Sequence, residues 1–286
     1  MSSLIEEGLI SENSKVVLVN DGSKDKTWEI ITKIHKENHM YVGINLTRNR
    51  GHQNALLAGL MYAKNHADIC ISMDADLQDD INVMDDMIKK YNAGADVVYG
   101  VRSSRKKDTF FKKFTAEAFY KLMNIMGVEV VFNHADCRLM SKRALEGLSE
   151  FKEVNLFLRG IVPQVGYKTD IAYYERSERV AGESKYPLKK MLAFAIDGIT
   201  SFSIKPLRMI TSIGFIILIL SFVVLIYSII MKLIGNTVSG WTFIVCSIWL
   251  IGGIQTLCLG VIGEYIGKIY KETKARPRYI IECVLD

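Results

Sequence analysis

Ile69-Cys70-Ile71-Ser72-Met73, running directly into Asp74-Ala75-Asp76-Leu77-Gln78, decides how this chain is read. A short apolar run closed by polar residues reads as a buried strand. It delivers two carboxylates, one residue apart, to its carboxyl end. In an open α/β sheet that end is where ligands bind. Two carboxylates crowded together there call for a cation, and oxygen donors select a hard one, Mg²⁺ or Mn²⁺. Magnesium prefers one or two carboxylates plus phosphates to an all-protein cage, so the stretch predicts a metal–diphosphate site. A second use of the segment stands beside the first. Asp79 or Asp80 can cap the helix outlined by Ile81, Met84, Met87 and Ile88.

Outward from this strand the same alternation continues. Val16-Val17-Leu18-Val19 is a strand ending at Asn20-Asp21-Gly22-Ser23, and residues 26–35 have helical spacing. Residues 41–46 read as a strand, 53–64 as a helix, 84–91 as a helix and 96–100 as a strand. This β-α-β-α rhythm predicts a parallel sheet with helices on both faces. No internal repeat or low-complexity tract interrupts it.

Composition then changes character. Residues 209–231 carry no charge and are dominated by Ile, Leu, Val and Phe, and a second uncharged run covers 241–263. Each matches the ~20 residues needed to cross a ~30 Å hydrocarbon core. Two such runs side by side predict a transmembrane hairpin. Lys189, Lys190, Lys205 and Arg208 precede it, and Lys268, Lys271, Lys274, Arg276 and Arg278 follow, while the link holds only Lys232. Positive flanks stay inside. Both ends are therefore expected in the cytoplasm, with the α/β domain on the cytosolic surface of the cell membrane.

Other classes are set aside by the same counts. A net charge of +5 without an Arg-rich or aromatic-interleaved tract does not describe a nucleic-acid binder. Five cysteines (70, 137, 246, 258 and 283) show no Cys-x-x-Cys spacing and are expected as reduced thiols. Residues 1–14 are polar, with Glu6, Glu7 and Glu12, and do not read as a cleavable signal peptide. Residues 109–126 place Phe110, Phe111, Phe114, Phe119, Leu122 and Met123 beside six basic residues. Residues 186–204 carry Leu188, Met191, Leu192, Phe194 and Ile199. Next to a hairpin, both read as interfacial amphipathic helices, with core packing as the other use of the first.

Three polar clusters close predicted strands: Asn20-Asp21-Gly22-Ser23, Thr47-Arg48-Asn49-Arg50-Gly51-His52 and the Asp74–Gln78 stretch. Together they resemble family 2 glycosyltransferases of the GT-A fold. Gly100-x-Arg102, Asp136-Cys137-Arg138-Leu139-Met140, Asn155-x-Phe157-x-Arg159-Gly160 and Gly182-Glu183-Ser184-Lys185-Tyr186 narrow the resemblance. So do Phe202-Ser203-x-x-Pro206-Leu207 and Gly263-Glu264-Tyr265-Ile266-Gly267. These look like the polyprenyl-phosphate branch, the bactoprenol glucosyltransferases and dolichol-phosphate mannose synthases. The resemblance implies a GT-A, mostly parallel sheet domain over residues 1–180, an interfacial segment over 181–207, and two transmembrane helices with a basic cytosolic tail over 208–286. Members of the family begin with an apolar strand ending in a Pro-x-Tyr-Asn-Glu-like loop. Here Met1-Ser2-Ser3-Leu4 aligns with the helix after it, so a truncated first strand is expected.

The implied activity is inverting transfer of a hexose, glucose from UDP-glucose, to undecaprenyl phosphate on the cytosolic leaflet, making a lipid-linked sugar for the cell envelope. The resemblance assigns Asp74, Asp76 and Gln78 to the Mg²⁺ or Mn²⁺ ion, and Asp21, Gly22, Ser23, Arg48 and Asp74 to the nucleotide. Asp76 and Asp136 become the catalytic carboxylates. Arg102, Lys113, Arg138, Arg159, Arg179 and Lys185 are the expected grips on the acceptor phosphate. For Asp136 a salt bridge to Arg138 or Arg143 stands as an equal alternative. A His134–Asp136–Cys137 zinc site lacks a spaced fourth ligand. Rivals are an inactive assembly subunit, and the same enzyme using a UDP-N-acetylhexosamine or GDP-mannose. Gly252, Gly253 and Gly260 offer small surfaces for helix packing and a homo-oligomer.

Overall fold

The computed structural model describes residues 1–76, 78–102, 126, 134–175, 199–200, 203–234 and 240–286. After a short helix α1 (Ser2–Glu6) come β1 (Val16–Asn20), α2 (Thr27–Glu37), β2 (Tyr41–Leu46), α3 (His52–His66) and β3 (Ile69–Ser72). Then follow α4 (Val83–Asn92), β4 (Val97–Arg102), β5 (His134–Ser141), α5 (Lys142–Ser149), α6 (Leu158–Gln164) and β6 (Thr169–Tyr174). Two long helices, α7 (Lys205–Leu233) and α8 (Trp241–Thr273), precede β7 (Ile281–Leu285).

The strands form two mixed sheets, ordered β1-β2-β7 and β3-β5-β4-β6. β1 runs parallel to β2, and β4 parallel to β6. β5 is antiparallel to both β3 and β4, and β7 is antiparallel to β2. The expected mostly parallel sheet is thus corrected to a mixed one. The alternating rhythm of the first hundred residues misses it because both antiparallel strands arrive later. The Asp136–Met140 motif proves to be the body of β5, and part of the basic tail proves to be β7.

Packing explains the layers. Along β4, Val97, Tyr99 and Val101 face one core and Val98 the other, the two-residue alternation of a strand. Val98 meets Met87, Ile88, Leu139 and Ala172, with Leu4 of α1 beside them. On the opposite face Tyr99 and Met140 pack with Leu145, Leu148, Leu158 and Ile161 of α5 and α6. The second sheet is therefore covered on both sides, as expected. Helix α3 joins the two sheets: Ala55 and Ala58 lie on Ile44 and Leu46, while Leu57, Leu60 and Ala63 enter the core of the second sheet. Gly43 lets Ile31, Trp28 and Leu285 converge on β2, since a Cβ there would stand 2.8 Å from Ile31 Cγ2.

Helices α7 and α8 have 29 and 33 residues and pack against each other. At 1.5 Å per residue they measure roughly 44 and 50 Å, longer than a ~30 Å hydrocarbon core. Ile213, Phe215, Ile219, Leu220, Leu250, Leu257 and Leu259 are among many large apolar side chains they leave exposed. The expected spans 209–231 and 241–263 fall within them. The amphipathic segments 109–126 and 186–204 lie largely outside the described residues. Within them Met126 accepts a hydrogen bond from Ser203 Oγ just before α7, and Tyr265 Oη of α8 donates to Ser203 O at 2.5 Å.

Candidate active site

At the carboxyl end of the first sheet two loops interlock. Asn20 Nδ2 donates to Asn45 Oδ1 at 2.7 Å, and Asn45 Nδ2 donates to Glu282 Oε2 at 2.7 Å, so one polar row crosses β1, β2 and β7. Asp21 accepts from the backbone N–H groups of Arg50 (2.7 Å) and Gly51 (2.9 Å). Gly22, at φ +61°, lies under Arg48, where a Cβ would come within 2.4 Å of the Arg48 carbonyl carbon. A side chain at that position is excluded twice, by conformation and by space. Ser23 N donates to Asn20 Oδ1 at 3.3 Å, and the Arg48 side chain is exposed. The structure thus brings Asp21, Gly22, Ser23 and Arg48 into one cradle.

The second sheet supplies the acidic cluster. Ser72 Oγ, ending β3, donates to Asp136 O on β5 at 2.8 Å, which sets the Asp74 loop beside Asp136. His52, at the start of α3, places Nε2 3.3 Å from Asp136 Oδ2 and 3.6 Å from Asp74 Oδ1. Arg159 of α6 forks onto the same carboxylate, Nε to Oδ1 at 3.0 Å and Nη2 to Oδ2 at 2.9 Å. The Asp136 alternative is corrected here: its ion pairs run to Arg159 and His52, whereas Arg143 pairs with Asp96. Asp76 Oδ1 accepts from Gln78 N at 3.2 Å, and Gln78 is buried. Asp79 accepts from Tyr174 Oη at 2.5 Å, and the described helix begins after Asn82, so neither Asp79 nor Asp80 is its N-cap.

Arg138, two residues beyond Asp136, is 1% exposed. Its guanidinium lies 5.5 Å from the Tyr99 ring centre, and Nε, Nη1 and Nη2 have no hydrogen-bond partner among the described residues. Arg102 closes β4 opposite Tyr174. Lys113, Arg179 and Lys185 lie outside the described residues.

These surroundings set the charges. Burial alone raises the Asp136 carboxyl, but hydrogen bonds from His52 and Arg159 overcome it and hold the group far below the ordinary carboxylate range. The bond to Asp136 pushes the His52 imidazole above its usual value. Burial, reinforced by the Asp136 charge, raises Asp74. Complete burial lowers Arg138. A negative Asp136 and a reluctant Asp74 sit beside one another, the electrostatic condition that a divalent ion relieves.

The family model for "Glycosyl transferase family 2" matches residues 1–149, which contain both loops and the acidic cluster. The chain belongs to this family. It is a glycosyltransferase. The uncharacterized glycosyltransferase YkoT of Bacillus subtilis is 54% identical over 285 residues, covering 100% of this chain and 85% of YkoT. A prophage bactoprenol glucosyl transferase homolog of Escherichia coli is 44% identical, covering 97% and 91% of the two chains. The bactoprenol glucosyl transferase of Shigella phage SfX is 44% identical, covering 94% and 88%.

For a family 2 enzyme the cluster suits a divalent ion. One nitrogen and two carboxylate oxygens, from His52, Asp74 and Asp136, all lie within 4.8 Å of one another. That donor set matches Mn²⁺ or Mg²⁺ with phosphate completing the shell. Sequence reasoning missed His52, because a histidine at a helix start carries no spacing signal toward strands twenty and eighty residues away. It also missed Gln53, whose Oε1 accepts from Leu158 N at 2.9 Å and ties α3 to α6.

Proposed function

We propose that this glycosyltransferase transfers glucose from UDP-glucose to a polyprenyl phosphate at the cytosolic face of a membrane. The observation that carries the reading is the buried Arg138 guanidinium, which has no hydrogen-bond partner among the described residues and lies two residues along β5 from Asp136. A buried charge is tolerated only when compensated, and the compensating group on offer is a phosphate, which a planar guanidinium grips in bidentate fashion. The bactoprenol glucosyl transferase relatives suggest which phosphate and which sugar. The exposed apolar flanks of α7 and α8 suggest where it resides.

The residues divide the work. The Asp21–Ser23 and Arg48–Gly51 loops cradle the nucleotide, with Asp21 oriented toward the base and the Gly22 backbone close against it. Asp74 and Asp76, with Gln78 or His52 beside them, would hold a divalent ion, which would supply Lewis-acid neutralisation of the leaving diphosphate. Arg138 and Arg159, with Arg102, Lys113, Arg179 and Lys185, align the acceptor phosphate. That oxygen is already ionised near neutral pH, so orientation does more than proton removal. Its attack forms a bond to the anomeric carbon as the bond to UDP breaks, turning an α-linked donor into a β-linked lipid phosphate. Asp136, held anionic, orients Arg159 and steers the sugar.

Membranes containing the protein, given labelled UDP-glucose and undecaprenyl phosphate, are expected to yield a labelled lipid that Asp76→Ala abolishes. Label appearing only from UDP-N-acetylhexosamine or GDP-mannose would change the sugar and keep the chemistry. No label from any donor would leave an inactive assembly subunit as the better account.

A further inference from the structure

The Asn155–Gly160 motif spans the end of the α5–α6 loop and the first turn of α6, and the transfer chemistry explains it only at Arg159. The rest of that loop is gripped by the segment that follows the apolar body of α8. Glu272, in the last turn of α8, accepts from two successive backbone N–H groups, Val154 N to Oε2 at 2.8 Å and Asn155 N to Oε1 at 2.7 Å. Arg278 Nη1 donates to Phe151 O at 3.0 Å, and Tyr279 packs into the cores beside both sheets. At the far end of the loop Leu158 N is held by Gln53, the neighbour of His52, and Arg159 forks onto Asp136.

An acidic side chain in the last turn of a helix opposes the helix dipole. Glu272 holds that unfavourable place with both oxygens committed to one loop. Arg159 lies four positions beyond Asn155, at most ~14 Å of chain. A shift of α8 by one helical turn, ~5.4 Å, is therefore a large displacement on the scale of this link.

We propose that Glu272 is a positioning residue: it fixes the height of the loop that leads into α6 relative to the membrane hairpin, so that Arg159 and Asp136 meet a phosphate presented at the lipid surface. The inference rests on the transfer function proposed above. It adds that the hairpin sets the register of the site, beyond holding the protein at the membrane.

The test compares two acceptors for the full-length protein in lipid nanodiscs. One is long-chain polyprenyl phosphate embedded in the bilayer, and the other is a short, water-soluble prenyl phosphate that needs no register with the lipid. Removing two charge-assisted hydrogen bonds in Glu272→Ala is expected to lower kcat/KM on the embedded acceptor by about tenfold or more. The KM for donor, and kcat/KM on the soluble acceptor, are expected within about twofold of wild type. Glu272→Gln, keeping one acceptor oxygen, falls between. Amide hydrogen exchange supplies an independent readout: the Val154 and Asn155 amides exchange faster in Glu272→Ala while those of β4 and β5 do not. Equal losses on both acceptors mark a general folding role and overturn the proposal, as does wild-type behaviour of the alanine variant. Wild-type protein inactive on both acceptors overturns the transfer function itself, and the proposal with it, even if the exchange result holds.

Discussion

Replacing Arg159 by Met keeps the apolar stem of the side chain and removes its charged fork. In the native structure that fork makes two hydrogen bonds, 3.0 and 2.9 Å, to a carboxylate only 13% exposed. Removing one partner of a fully buried pair costs about 3–5 kcal/mol, whereas an exposed pair is worth roughly 0–1 kcal/mol. The Arg159 side chain is 32% exposed, and His52 remains to hold Asp136. An intermediate loss of about 2–3 kcal/mol is therefore expected. For a domain of this size that lowers the unfolding temperature by roughly 4–12 °C. Thermal scanning of the purified protein at pH 7 measures it. Acid titration adds a signed test. Asp136 has a depressed pKa in the folded protein, so its pairing contributes fully above the unfolded value of ~3.9 and is lost as pH falls through the folded value. The gap between wild type and variant should narrow as pH falls, first as His52 protonates against Asp136 and finally in strong acid as Asp136 itself takes a proton. A gap below about 0.5 kcal/mol at pH 7, or one that widens on acidification, would refute the claim that the Arg159 fork helps to hold Asp136.

Three further outcomes follow from the same geometry. Gly22→Ala forces a side chain at φ +61° into the Arg48 backbone, so a loss on the order of 1–3 kcal/mol and a matching drop in UDP affinity by calorimetry are expected; unchanged affinity would mean that the cradle is not the nucleotide loop. Asp74→Asn should weaken Mn²⁺ binding, read by electron paramagnetic resonance on the protein with UDP, by at least about tenfold; equal affinity would move the ion elsewhere. Asp96 is held below the ordinary carboxylate range, first by the Arg143 fork, with Ser141 assisting. Its contribution is present above ~3.9 and lost as pH falls through the folded value, so Asp96→Asn should be less stable than wild type at pH 7, with the difference shrinking only below about pH 3.9; a pH-independent difference in unfolding temperature would contradict the pairing.

The legible part of the fold was whatever a local period can encode. Val16–Val19, Tyr41–Leu46 and Ile69–Met73 announce strands by apolar runs, and each is found within a residue of its place. The two long helices announce themselves by uncharged length. Sheet direction was not legible, because β5 and β7 pair with strands far from them in sequence. Ile281–Leu285 has the apolar run of a strand, but nothing local names β2 as its partner. In the candidate site, Asp74, Asp136, Arg138 and Arg159 were named from motifs, and their proximity is a fact of the fold. His52 could be found only in three dimensions, since it meets Asp74 and Asp136 by crossing between the two sheets on α3.

Strand β7 has a consequence for the order of assembly. It pairs with β2, whose residues Val42, Ile44 and Leu46 are nearly inaccessible to solvent, yet it is synthesised after both long helices. During translation one edge of β2 must wait, unpaired, until α7 and α8 have left the ribosome and found their place. Waiting edges of this kind invite association with other chains. The first sheet of the glycosyltransferase domain therefore closes last, and completion of the strand ladder beside the Asp21 and Arg48 loops waits on the two long helices that precede β7.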